Sequence, residues 1–186
     1  MPALPPPALD LPTHALLVVR VHPHDELAAP LFTELAREYD CRYGDLFGGA
    51  AHELTRFPAE EFLAPDGGFL LLLEDGVAVA GGAFRRHADA GTAEVKRMWT
   101  AAAHRRRGLA RRVLAELEAD AARRGYTRMY LTTGPRQPEA KALYLAAGWT
   151  PLFDPAVAHP TDLDELRTGA PGAFAYAFDK RLDGAP

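Results

Sequence analysis

Cysteine is nearly absent from this chain: Cys41 stands alone among 186 residues. A single cysteine excludes an internal disulfide framework and points to a reducing, intracellular setting. Its simplest reading is a small, partly buried apolar side chain. An excess of positive charge is also missing, since 21 Lys and Arg face 25 Asp and Glu for a net charge of -4. Nucleic acid is therefore not an expected partner, because its backbone calls for a basic surface. No apolar run approaches the roughly 20 residues of a membrane span. The Pro-rich stretch Met1 to Pro12 lacks the basic start and apolar core of a signal peptide, so the expected location is cytoplasmic. The sequence has neither a Gly-x-Ser-x-Gly elbow nor a Gly-x-x-x-x-Gly-Lys-Ser/Thr loop. His22 and His24 form only an isolated pair, and no metal site is expected.

What is present is an ordinary globular composition, 48% hydrophobic and 25% charged. The length suits one domain over residues 14–186, preceded by a Pro-rich arm over residues 1–13. Ala15 to Val21 reads as a short buried strand. Asp25 can cap a helix in which Leu27, Leu31, Leu35 and Tyr39 recur every four residues, with Phe32 beside them. From residue 42 to 65 the pattern loosens into a loop around Gly44, Gly48 and Gly49. Residues 69–74 and 77–84 are strands joined by Asp75-Gly76, a type I′ hairpin signal. A third strand over 92–100 completes an antiparallel meander. Leu109, Val113, Leu114, Leu117 and Ala121 then form a helical stripe stopped by Gly125. A strand over 129–133, a helix over 138–147 stopped by Gly148, and an alternating strand over 174–181 finish the order. The fold class is α/β, of the mixed α+β kind.

The stretch from Thr92 to Ala110 carries most of the functional information. A strand (Glu94-Val95-Lys96-Arg97-Met98-Trp99-Thr100) runs through a basic turn into a helix. Unpaired N–H groups and the helix dipole make such a turn an anion site, and Gly108 allows close backbone approach. Arg105-Arg106-Arg107-Gly108-Leu109-Ala110 resembles the coenzyme-A pyrophosphate loop of the GNAT superfamily of acetyltransferases, written Gln/Arg-x-x-Gly-x-Gly/Ala. Arg106 stands where that family often has Gly. A second segment, from Gln137 through Lys141 and Tyr144 to Trp149, resembles the family's Asn-x-x-Ala-x-x-Leu-Tyr-x-x-x-Gly-Phe.

The resemblance implies a central, mostly antiparallel, twisted and splayed sheet flanked by helices. It implies acetyl-CoA as co-substrate and no metal. Met98, Trp99 and Thr100 would pair with the pantetheine arm, and one of their N–H groups would polarise the thioester carbonyl. Arg105, Arg106, Arg107, Gly108, Leu109, Ala110 and Arg111 would hold the phosphates, and Gln137, Lys141 and Tyr144 would complete the coenzyme site. Tyr144 would act as the acid toward the departing thiolate, and Glu94 as the base toward the amine. The acceptor pocket falls on Tyr39, Arg42 and Tyr43, which share a helical face if the helix reaches that far, and on the loop over 153–172. The expected reaction is acetylation of the primary amine of a small molecule: an amino acid, a polyamine or an aminated antibiotic. A protein or peptide N-terminus, or a non-catalytic acyl-CoA-binding module, are the alternatives. A homodimer is compatible with the resemblance.

Overall fold

The structure is a computed structural model that describes residues 15–169 and 174–182. The Pro-rich arm lies outside the described residues. Seven strands, β1 (Leu16–Arg20), β2 (Gly68–Glu74), β3 (Val77–Arg86), β4 (Thr92–Thr100), β5 (Arg128–Thr133), β6 (Thr150–Pro151) and β7 (Tyr176–Arg181), form one sheet in the order β1-β2-β3-β4-β5-β7-β6. Every neighbouring pair is antiparallel except β4 and β5, which are parallel and pair only from Thr92↔Arg128 to Glu94↔Tyr130. Five helices accompany it: α1 (Ala29–Tyr43), α2 (Gly49–Thr55), α3 (Leu109–Arg123), α4 (Pro138–Ala146) and α5 (Leu163–Thr168). The mixed α/β class and the splayed, mostly antiparallel sheet expected from the sequence are those observed.

The turns follow from residue chemistry. Asp75 and Gly76 both have positive φ, 51° and 81°, as a type I′ hairpin requires. Gly125 and Gly148, also at positive φ, end α3 and α4 in the same way. Behind each glycine the next amide reaches back into the helix, Tyr126 N–H to Ala121 O (3.1 Å) and Trp149 N–H to Tyr144 O (3.0 Å). The first helix begins later than the apolar spacing suggests. Asp25 caps a short 3-10 turn (Glu26–Ala28), and α1 proper starts beside Pro30, whose missing N–H is harmless in a first turn.

Two apolar layers sandwich the sheet. On one face, Leu109, Val113, Leu114, Leu117 and Ala121 of α3 and Tyr144 of α4 meet Leu70, Leu72, Val95, Leu131 and Phe178. On the other, Leu31 and Leu35 of α1 meet Phe62, Leu71 and Trp99. The α3 layer also buries a charge, since Asp120 accepts from Arg20, Arg123 and Arg124. α2 and α5 were not expected. They are short, each buries a single side chain (Ala50 and Leu166), and so neither carries a readable apolar stripe.

Candidate active site

The parallel ladder between β4 and β5 stops because β4 bends. Lys96 lies opposite Ala83 and Trp99 opposite Gly81, so Arg97 and Met98 together face Gly82. This is a bulge, with Arg97 at φ 58°. Gly82 is required there, because a Cβ would come within 2.8 Å of Met98 Sδ and 3.0 Å of Val113. Past the bulge β4 leaves β5, and a cleft of about 1220 Å³ opens between them. Ala101 N–H donates to Val79 O of β3 at 2.9 Å. Alternation along the strand therefore turns the amides of Met98 and Thr100 toward the cleft and that of Trp99 toward β3. The Trp99 indole N–H donates to Glu34 (3.1 Å) and ties this part of β4 to α1.

At one end of the cleft stands the N-terminus of α3. No side chain caps it, Gly108 holds φ 77°, and the place where a Cβ would stand is open space. Gly108, Leu109, Ala110 and Arg111 all line the cleft. An uncapped helix N-terminus with backbone exposed at a glycine suits a phosphate group. The arginines of the loop divide. Arg105 donates to Glu38 (2.7 Å) and to Thr100 O (3.3 Å), and Arg107 makes a two-pronged pair with Glu74 (2.9 and 2.5 Å) away from the cleft. Among the described residues Arg106 and Arg111 make no ion pair, which leaves them as the loop's available cations.

Arg106 sits at φ 63°, a left-handed conformation that a residue with a Cβ adopts at a cost of about 1 kcal/mol. Glycine at this position in the resembling motif has that physical reason. Arg106→Gly is expected to raise folding stability by up to about 0.5 kcal/mol, most of the relief of about 1 kcal/mol being offset by the freer unfolded chain. An unchanged or lower midpoint in urea would count against the strain.

The far wall comes from β5 and α4. Tyr144 is buried against Trp149 and Phe178, at ring-centroid distances of 6.0 and 5.5 Å, and lines the cleft. Burial raises its phenol pKa, so it stays protonated at neutral pH. Gln137 lines the cleft but turns its side-chain oxygen to Thr133 Oγ1 (3.1 Å) and Gly134 N–H (3.2 Å), bracing the β5–α4 turn. Lys141 is not part of the cleft wall; its ammonium lies over the Tyr176 ring at 4.2 Å.

α1 does extend to Tyr43, and Tyr39, Arg42 and Tyr43 all line the cleft. Arg42 is occupied by Glu38 (3.1 Å), Glu139 and the carbonyl of Arg136. Tyr43 accepts from Arg136 N–H (3.3 Å), and burial pushes its phenol up to about 12. A Cβ at Gly134 would stand 2.0 Å from that hydroxyl, so the close approach of α1 to this turn requires glycine. These side chains bridge the two arms of the cleft.

Glu94 is only 6% exposed and does not line the cleft. Its carboxylate is held at 2.8 Å by both Lys96 and Arg85. Burial alone would raise its pKa, but Lys96 and then Arg85 outweigh burial and hold it below the usual carboxylate range. Its stabilising contribution is thus complete above the unfolded value of about 4.3 and is lost as pH falls through the lower folded value. Glu94→Gln is expected to cost about 1–2 kcal/mol at pH 7. The difference should shrink as pH falls below the usual carboxylate range; a difference that stays constant into acid would refute the ion-pair account.

Glu53 and Arg97 line the cleft and were not expected as site residues. Glu53 of α2 has Arg56 as its ion-pair partner, at the long distance of 3.9 Å, whereas the cleft carboxylates Glu38 and Glu139 are closely paired. Arg97, 9% exposed, donates Nη2 to Leu54 O (2.8 Å) and Phe57 O (3.5 Å), with its guanidinium 3.9 Å from the centre of the Phe62 ring. The one sequence signal for it is a charge inside an otherwise apolar half of β4.

An open, mostly antiparallel sheet that parts at a bulged strand, with a bare helix N-terminus at the parting, defines the class of protein. The model of the Acetyltransferase (GNAT) family matches residues 30–149, and the chain belongs to that family and is an acyltransferase. A protein from Azospirillum brasilense named IAA acetyltransferase is 31% identical over 116 residues, 62% of this chain and 74% of that one. Among solved structures, an acetyltransferase of the GNAT family from Staphylococcus aureus Mu50 matches with a TM-score of 0.66 at 12% identity, covering 91% of this chain and all of that one. The PaiA N-acetyltransferase of Thermoplasma acidophilum, solved in complex with coenzyme A, matches with a TM-score of 0.61 at 16% identity, over 90% and 99% of the two chains. At these identities the two structures establish the fold. No described helix is long and apolar enough to cross a membrane.

Proposed function

We propose that the chain transfers an acetyl group from acetyl-CoA to the primary amine of a small molecule. One observation carries this reading: the bare N-terminus of α3, the cleft-facing amides of β4 and the protonated Tyr144 converge on a single cleft. The coenzyme bound to the Thermoplasma neighbour supports the choice of acyl donor. Under this reading the Gly108–Arg111 amides and the Arg106 and Arg111 side chains hold the pyrophosphate. The open edge of β4 pairs with the pantetheine amides as a further strand would. The neutral amine attacks the thioester carbonyl, whose oxygen gains charge and accepts from the Met98 N–H. Collapse breaks the C–S bond, and the sulfur takes the Tyr144 proton.

The proton lost by the amine needs an acceptor, and a cleft carboxylate not locked in a close ion pair suits that role. Glu94, the residue expected for this role, is engaged by Lys96 and Arg85 and is better suited to orienting Lys96 on the cleft wall. We assign the base role to Glu53, which faces the acceptor end. The acceptor end is walled by α2 and the turn that follows it, which favours a small molecule over a folded protein.

Calorimetric titration with acetyl-CoA and release of free coenzyme thiol across a panel of amines test the proposal. Micromolar binding with turnover on at least one small amine is expected. Turnover only on peptides would move the acceptor assignment, and tight binding with no turnover at all would favour an acyl-CoA-binding module. Glu53→Gln should lower kcat/KM by about 100-fold or more, the range for loss of a general base, and Glu94→Gln should leave it within about fivefold.

A further inference from the structure

Burying a cation without a counter-ion is costly, yet Arg97 has no ion pair among the described residues. The other arginines of the cleft wall are either ion-paired (Arg42, Arg56, Arg105) or exposed (Arg106, Arg111). Glu53 acts on Arg97 through space from beyond ion-pair distance. Two backbone carbonyls use Nη2, and the rings of Phe62 and Phe32 (3.9 and 5.2 Å) fix the guanidinium plane. Nε and Nη1 donate to no protein acceptor among the described residues, and neither is a sealed, unpaired atom. The side chain lines the cleft and also a small annex of about 20 Å³ that it shares with Tyr39, Glu53, Phe57 and Phe62. Arg97 directly precedes Met98, whose amide faces the reacting carbonyl in the proposed transfer.

We propose that Arg97 is the anion subsite of the acceptor end, and that the acceptor is an amine that also carries a carboxylate, as an amino acid does. A guanidinium held flat in a low-dielectric wall still offers its Nε–H and Nη1–H as separate charge-assisted donors to a carboxylate. A polyamine would instead meet Arg97, Lys96 and Arg56, with Glu53 the loosely paired carboxylate opposite them and Glu94 already held by Lys96 and Arg85. The proposal rests on the acetyl-transfer reading and narrows its acceptor.

The test uses matched compounds: each L-amino acid, its carboxamide and its decarboxylated amine, assayed by thiol release with product mass as confirmation. For the wild-type protein the best amino acid should exceed its two partners in kcat/KM by at least tenfold. In Arg97→Gln that ratio should fall to within about threefold of one, mainly through KM, and Arg97→Lys should keep part of it. The ratio cancels any general loss of folded enzyme, and the wild-type comparison needs no variant. Equal rates within the wild-type pairs, an unchanged ratio in Arg97→Gln, or no turnover on any carboxylate-bearing amine would each overturn the proposal. Turnover on the carboxamides or the decarboxylated amines decides whether the acetyl-transfer reading survives that failure.

Discussion

Tyr144→Phe is expected to lower kcat roughly 10–100-fold while leaving the dissociation constant for acetyl-CoA within about twofold, the range set by loss of a general acid. The argument is geometric before it is electrostatic. α4 is fixed at its end by Trp149, whose indole N–H donates to Glu118 of α3 (2.9 Å), and by Lys180, which donates to the same carboxylate and to Ala147 O. The Tyr144 ring is packed between Trp149 and Phe178, so its hydroxyl has little freedom. Burial keeps the phenol protonated across the working pH range, which makes it a donor and excludes it as a base. Removing only the oxygen leaves the packing in place, so the thermal midpoint should hardly move. Unchanged kcat would remove Tyr144 from the chemistry; a matching loss of coenzyme affinity would make it a binding residue instead.

Ala110→Asp should separate stability from binding with opposite signs. Ala110 lies in the first turn of α3, half-buried at the cleft wall, where nothing caps the helix. A carboxylate there interacts favourably with the helix dipole and the free amides, a gain of about 0.5–1 kcal/mol in folding stability. The same carboxylate occupies the place proposed for the pyrophosphate. At about 5 Å and an effective dielectric near 20, repulsion of one phosphate charge amounts to about 3 kcal/mol, roughly 100-fold in affinity. A higher melting temperature with a Kd for acetyl-CoA raised about 100-fold is therefore expected. Retained affinity would place the phosphates elsewhere than the start of α3.

The features legible in the sequence were those with local causes. Asp75-Gly76, Gly125 and Gly148 announce their turns because a positive φ is written into residue type. The basic turn before α3 is legible because a glycine and a helical stripe follow it at once. Contacts between distant segments left no such mark. Arg105 and Arg107 look like phosphate ligands in the sequence, but their carboxylate partners, Glu38 and Glu74, lie 67 and 33 residues away. Lys141 reads as part of the coenzyme motif, yet its ammonium rests on an aromatic ring from β7. Glu94 fits the expected base by position along the strand, and only its neighbours Lys96 and Arg85 reveal that both of its oxygens are engaged. Arg97 adopts a left-handed φ that nothing in its residue type demands; it belongs to a bulge visible only once β4 is paired with β3.

That bulge also decides where the sheet exposes backbone. An unpaired strand edge invites pairing with other chains, and proteins usually shorten or cover it. Here the outer edges are β1, five residues long with Leu17 59% exposed, and β6, two residues long and ending in Pro151. The remaining open edge, Val95 to Thr100, lies inside the molecule, recessed between β4 and β5 and bridged at its mouth by Arg42 and Tyr43. A foreign β-strand would have to pass the bridge that Arg42 and Tyr43 make to the turn before α4. The fold thus keeps a sticky edge available for a narrow guest while withholding it from neighbouring proteins, so self-association through strand pairing falls to the short outer edges.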